Sequence, residues 1–432
     1  MASQELSSRS CKVCVLEARS RIGGRTETLP LGVDVGAQWV GPKHHELLSL
    51  VQRFNLELVD QFYPEFPNHS TRLTEWVGYQ QRALAKGDEE STKRYIDLVE
   101  TLSLELDLDQ PWTHKLAREW DLTSVQDHVH AFTKSPVVRQ ELLLFCQTVF
   151  ACIPANTSLL FFLFCLKSGG GMEALGDGEL GAQRWKIAGG ISRLTEKMMV
   201  AVQQQQQHPV EFKLESVVVS VKYNDGLAVV GLQTGEEVTC RKLVLALSPL
   251  LIHKIRFEPS LPPARTLMQA SMVSGRTIKV ILQFSHAFWL DPRPSRDLDK
   301  VIGPVHNLFD SQVDGKPALV GLITGATAIA LEPLLPEQRQ ALVETQLWEM
   351  YDIKPGSALL YLERVWGLEA FSQGCYSGLF PPDGSFHSFG HTLREPIADK
   401  LFFAATETAT EHYGYMEGAL LAGKRAARQV LE

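Results

Sequence analysis

The sequence predicts an α/β protein of two domains, with helical material inserted among its strands, on three observations. Segments with the two-residue period of a strand alternate with segments of helical period along most of the chain. With 432 residues, 44 % of them hydrophobic and 21 % charged, the chain can bury a sizeable core in each of two domains. A short apolar strand candidate near the start ends on an acidic residue, Glu17, and leads into Gly23-Gly24-Arg25, residue types with which a parallel sheet meets a dinucleotide.

Composition narrows the function classes. A formal charge of -8 leaves no basic excess for a phosphate backbone, which argues against nucleic acid as a partner. Seven cysteines, an odd number scattered through a long chain, do not form a disulfide scaffold and favour a reducing compartment. Cys11 and Cys14 make a CxxC without a second pair, so they read as strand thiols and no metal site is expected. Residues 1–10 are polar and do not read as a secretory signal. The longest apolar run, 159–166, is eight residues, against the roughly 20 that a membrane helix needs. The simplest expectation is a soluble cytoplasmic protein.

Taken in order, residues 12–16 form the first strand candidate and 33–41 a second extended segment. Pro42 then opens a helix over 44–54, where Leu47, Leu48, Leu50 and Val51 fall at helical spacing. Residues 83–166 are predominantly helical, with helices expected over 95–106 and 137–149. A glycine-rich passage spans 169–190, a helix resumes over 191–203, and the glutamine run 203–207 reads as a solvated helix end or loop. Strands are expected over 216–223, 227–234, 242–247, 278–284, 318–324 and 401–404, and helices over 337–351 and 418–431.

An acidic residue ending a parallel strand accepts hydrogen bonds from a ribose, and a glycine pair beside an arginine lets backbone approach a phosphate that the guanidinium neutralises. On motif grounds alone a surface turn with a solvated Glu17 and Arg25 is as good a reading. The full fingerprint places a glycine loop about 20 residues before the acidic residue. Only 16 residues precede Glu17 and none is glycine, so the first strand, the phosphate loop and its helix are expected to be missing.

Glu17-Ala18-Arg19, Gly23-Gly24-Arg25-Thr26 and the stretch 34–42 resemble the start of the flavin amine oxidases, and 275–279, 371–382 and 404–418 extend the resemblance across nearly the whole chain. Ser372-Gln373-Gly374-Cys375-Tyr376 is most similar to the monoamine oxidase branch. The resemblance implies a glutathione-reductase-like FAD-binding domain built from 1–62, 188–268 and 369–432. It implies a substrate domain of mixed sheet and helices from 63–187 and 269–368. It implies FAD, bound covalently through Cys375, with Glu17, Arg19, Gly24, Arg25, Val218, Trp366, Thr406 and Met416 as further cofactor contacts. Tyr376 and Tyr415 match the tyrosines that channel the amine, Lys279 the lysine that holds a water at the flavin, and Gln183 and Asn307 residues of the substrate cavity. Lys279 also stands out by itself, because a charge inside an apolar strand is costly without a partner.

The implied reaction is oxidative deamination of a primary amine by O2 to aldehyde, ammonia and hydrogen peroxide, with a homodimer as the assembly the resemblance admits. Polyamine and L-amino-acid oxidation remain alternatives, although Cys375 is generally absent from those branches and no arginine is assignable to a substrate carboxylate. A third alternative is an inactive form that does not bind FAD, since losing a central strand and a phosphate site costs several kcal/mol on the usual scale of such defects. The C-terminal membrane helix of the vertebrate enzymes has no counterpart in 401–432, so mitochondrial outer-membrane association is expected only of a longer form.

Overall fold

A computed structural model describes residues 1–61, 86–176, 180–205, 208–224, 226–290 and 303–432. The expected domain junction at 62/63, the start of the helical region at 83–85 and the end of the glutamine run at 206–207 lie outside these residues.

Four short parallel strands fall into two pairs. Cys14–Leu16 pairs with Glu211–Lys213, and Leu243–Leu245 pairs with Leu401–Phe403. The bonds Glu211 N to Val13 O and Glu17 N to Lys213 O commit Val13, Val15 and Glu17 to one neighbour, so the alternation of a strand turns Cys14 and Leu16 the other way. Leu243 N to Lys400 O and Ala404 N to Leu245 O do the same on the second pair, turning Val244 and Ala246 outward. Both free edges border one cavity. Among the described residues the parallel sheet is thus divided into two pairs that do not hydrogen-bond to one another.

Above it, Arg256–Glu258, Val218–Tyr223, Ala228–Leu232 and Glu237–Cys240 form a four-stranded sheet. The last of these strands, polar and four residues long, carries too little apolar pattern to be read from sequence. A second four-stranded sheet, fully antiparallel, orders Asn307–Val313, Lys316–Thr324, Thr277–Gln283 and Leu360–Val365. Every residue of Thr277–Gln283 is buried, which makes it the spine of that sheet.

The helical region contains Lys86–Leu104, Ala117–Asp121, Val125–Phe132, Pro136–Phe150 and Leu159–Gly169. Pro136 occupies the first turn of its helix and Ser135 accepts the Val138 N–H, a start signal of the expected kind. In Leu159–Gly169 residues 159–166 are all buried. A helix apolar on every side belongs inside a core, here packed among Phe145, Phe380, Phe386 and Tyr413. Among the described residues no helix is long and apolar enough to cross a membrane.

The polar start, to which the sequence reading gave no element, forms the helix Ala2–Ser8. It buries Leu6 and Ser7 and lies against the final helix Met416–Leu431, where an added Cβ on Gly423 would come within 3.1 Å of Met1. One apolar residue gives no periodicity to read, and tertiary packing decides the outcome.

Candidate active site

A single cavity of about 1700 Å³ runs from the divided parallel sheet to the antiparallel one. That exceeds the roughly 300–1,000 Å³ of most small-molecule sites and suits a long ligand with a second one at its end. Thirteen of the sequence-predicted site residues line it, and Lys279 stands behind its wall.

At the nucleotide end, Glu17 closes the strand Cys14–Leu16 and its carboxylate accepts the Arg19 N–H at 2.9 Å. Arg19 donates to Ser372 Oγ at 2.9 Å and lies over the Phe371 ring, while its buried Nε has no partner in the protein. Gly24 adopts φ +61° with open space beside its α-carbon, the condition for a ligand to approach backbone closely. Val218 opens its strand on the same wall.

Arg25 is anchored from the far end of the chain. Its guanidinium donates to both carboxylate oxygens of Glu407 at 2.9 Å and to the Tyr376 carbonyl at 2.6 Å. Burial pushes the Glu407 carboxyl up, but Arg25 facing it carries it below its usual range. Residues 34–38 lie against the turn that carries this arginine: Ala37 N donates to Arg25 O, and Gly36 is so close that a Cβ would sit 2.3 Å from that carbonyl.

Lys279 is 2 % exposed. Its Nζ donates to Gly36 O at 2.9 Å and Gln38 Oε1 at 2.5 Å. Burial lowers it to about 7, against the opposing pull of Asp34. In ladder register Lys279 is opposite Leu322, and Leu322 opposite Asn307, so the three form one row on one face. Asn307 and Leu322 line the cavity, as do Gly36 and Gln38. Trp366, 1 % exposed, donates from Nε1 to Val35 O at 2.9 Å and fixes the same segment.

Cys375 is held by Cys375 N to Gly275 O at 3.0 Å and Thr277 Oγ1 to Cys375 O at 3.2 Å. An added Cβ on Gly275 would come within 2.6 Å of the Cys375 carbonyl oxygen, so glycine is what lets this loop close on the sheet. Burial pushes the thiol up to about 11, with Arg25 and Lys279 pulling the other way. Tyr376 donates its hydroxyl to Thr148 O at 3.2 Å. Tyr415 precedes the final helix, and its carbonyl accepts Thr406 Oγ1 at 2.9 Å, which joins Thr406, Tyr415 and Met416 into one turn. Gln183 presents a buried Oε1 with no protein partner.

Sequence reasoning passed over three contributors. Gln38 lay inside the 34–42 stretch without a role, Glu407 inside the 404–418 stretch, and Phe145, Thr148, Val149 and Phe150 come from a helix, expected over 137–149, that was read as part of the substrate domain with no site residue on it. Among the described residues no cluster of three or more His, Cys, Asp and Glu could hold a metal.

A divided parallel sheet ending on an acidic residue is thus joined by a long cavity to a buried lysine and a cysteine loop. The chain belongs to the flavin containing amine oxidoreductase family, whose model matches residues 1–431. It is 32 % identical over 454 aligned positions to amine oxidase (flavin-containing) A of Equus caballus, covering 100 % of this chain and 82 % of that one. It is 28 % identical to a probable flavin-containing monoamine oxidase A of Dictyostelium discoideum, covering 99 % and 94 %. Cyclohexylamine oxidase from Brevibacterium oxydans superposes with a TM-score of 0.85 at 25 % identity over 99 % of this chain and 95 % of that one. Wild-type putrescine oxidase bound to putrescine superposes at 0.84 over 100 % and 96 %; at 23 % identity it speaks for the fold alone. The protein is an amine oxidase-family oxidoreductase with the mixed α/β architecture of those enzymes.

Proposed function

We propose that this protein is an FAD-dependent oxidase that deaminates primary monoamines to aldehyde, ammonia and hydrogen peroxide. The observation that supports it most is the convergence on one cavity of Glu17, Gly24 and Arg25 at one end and Cys375, Tyr376, Tyr415 and the carriers of Lys279 at the other.

The residues fit a flavin. The buried Arg19 Nε and Gln38 Nε2 lack protein partners on the walls where ribose and ring would lie, and Gly24 leaves room for close approach. Glu17, Arg19, Gly24, Arg25 and Val218 would hold the nucleotide half, and Trp366, Thr406, Met416 and Cys375 the ring half, with Cys375 as the covalent anchor. When bound, the flavin would supply the redox chemistry, a two-electron oxidation of the amine at its α-carbon with O2 as the final acceptor. The chain supplies the rest. Aromatic faces at Tyr376 and Tyr415 attract the ammonium form and guide it inward. The dry wall then favours the neutral, oxidisable amine. Gln183 and Asn307 are among the polar groups at the substrate end, and Lys279 would hold a water.

Glu17 is the only carboxylate among the described residues lining the cavity, and it stands at the nucleotide end. A diamine's second ammonium therefore meets no described counter-ion near the tyrosines, which supports monoamines over polyamines. Seven free thiols suit a reducing compartment such as the cytoplasm. A screen of monoamines, diamines and amino acids with peroxide detection tests the proposal. Turnover confined to monoamines supports it; turnover of putrescine or of an amino acid alone sinks it.

A further inference from the structure

Gln38 makes two interactions of different kinds. Its side-chain oxygen accepts from Lys279 Nζ at 2.5 Å, and its Nε2, on a residue 3 % exposed, has no partner among the described residues. Buried amide nitrogens are rarely left unpaired, so one that is and that borders a ligand cavity calls for an explanation. Lysine offers three N–H groups when charged; the neutral amine offers two and a lone pair. Gly36 O and Gln38 Oε1 take two. The third direction therefore carries either a proton or a lone pair, according to the charge state.

We propose that Gln38 is a positioning residue for Lys279: its oxygen fixes the amine and sets the balance between the ammonium and the neutral form, while its buried Nε2 stands beside the pair as an unengaged donor. The catalytic meaning of this pair rests on the oxidase reading, but the arrangement itself does not. A carbonyl oxygen supplies only a partial negative charge, so it orients the lysine without holding it fully protonated. The charged groups facing Lys279 are Asp34 from the 34–38 segment, Lys186 from the strand Trp185–Ile187, and the Cys375 thiol. Across the ladder stands Arg364, itself paired with Glu27. Asp34 and Lys186 oppose one another, which leaves the neutral Gln38 as the closest partner able to shift the balance.

The test reads folding stability against pH on the purified full chain, with no need of flavin. Because Lys279 titrates near 7 in the folded protein and at an ordinary lysine value when unfolded, the unfolded chain binds one more proton between about pH 7 and 10. This site then makes the unfolding equilibrium constant fall by about tenfold per pH unit as pH rises through that window. Lys279→Met removes this component and serves as the reference. Gln38→Glu places a full charge on the lysine, restores its proton, and flattens the curve onto the Lys279→Met slope. Gln38→Met removes the acceptor and extends the steep region below pH 7. In the Lys279→Met background Gln38→Met leaves the slope unchanged, closing a double-mutant cycle. Curves for both Gln38 variants parallel to the parent at every pH, whatever their offset, overturn the proposal. If Gln38→Glu does not fold, Gln38→Met against its Lys279→Met double decides alone.

Discussion

Glu407→Gln is the substitution whose cost the structure defines most closely. Glu407 is 0 % exposed and binds Arg25 through both carboxylate oxygens at 2.9 Å, while one of them also accepts the Gly378 N–H at 3.3 Å. Glutamine keeps one acceptor and the shape but withdraws the charge, leaving uncompensated a guanidinium whose side chain is only 23 % exposed, at the cavity wall. Breaking such a pair from one side costs about 3–5 kcal/mol, and the retained acceptor sets the expectation at the lower end. About 3 kcal/mol is a rise of roughly 150-fold in the unfolding constant. The assay is urea unfolding at pH 7 followed by far-UV circular dichroism. Removing both partners together, Arg25→Met with Glu407→Met, should cost less than Glu407→Gln alone, because no charge is stranded. A single variant within about 0.5 kcal/mol of the parent, the range of ordinary surface changes, or a double variant costing the sum of its parts, refutes the argument.

Two further predictions concern function. Cys375→Ala should release any flavin into the supernatant on acid precipitation while the parent retains it in the pellet; colour in the variant's pellet excludes Cys375 as the anchor. Tyr376→Ala removes an aromatic face worth about 1–2 kcal/mol to a passing cation, so kcat/KM for amines should fall about 5- to 30-fold, and unchanged steady-state kinetics contradict its role.

Periodicity located the long elements because burial obeys it. The helix Pro136–Phe150 and the strand Thr277–Gln283 differ by one residue at each end from their expected spans, since Ser135, Pro136 and the apolar run mark them locally. The start of Lys86–Leu104, nine residues before the expected 95, is polar and carries no such mark. The helix Ala2–Ser8 and the three-residue strands Leu58–Asp60 and Trp185–Ile187 form only through partners far along the chain. The same distinction runs through the site. Glu17, Gly24 and Cys375 carry local signatures, whereas the grip of Glu407 on Arg25 and of Gln38 on Lys279 spans 382 and 241 residues. No local pattern encodes a contact at that separation.

The central claim is that this cavity holds a flavin competent to oxidise an amine. The absorbance spectrum of the protein purified after expression with riboflavin, recorded without oxygen before and after a primary amine is added, tests it most directly. The account predicts a flavin band that bleaches on addition and returns with air. A colourless protein, or a flavin band indifferent to every amine, contradicts it.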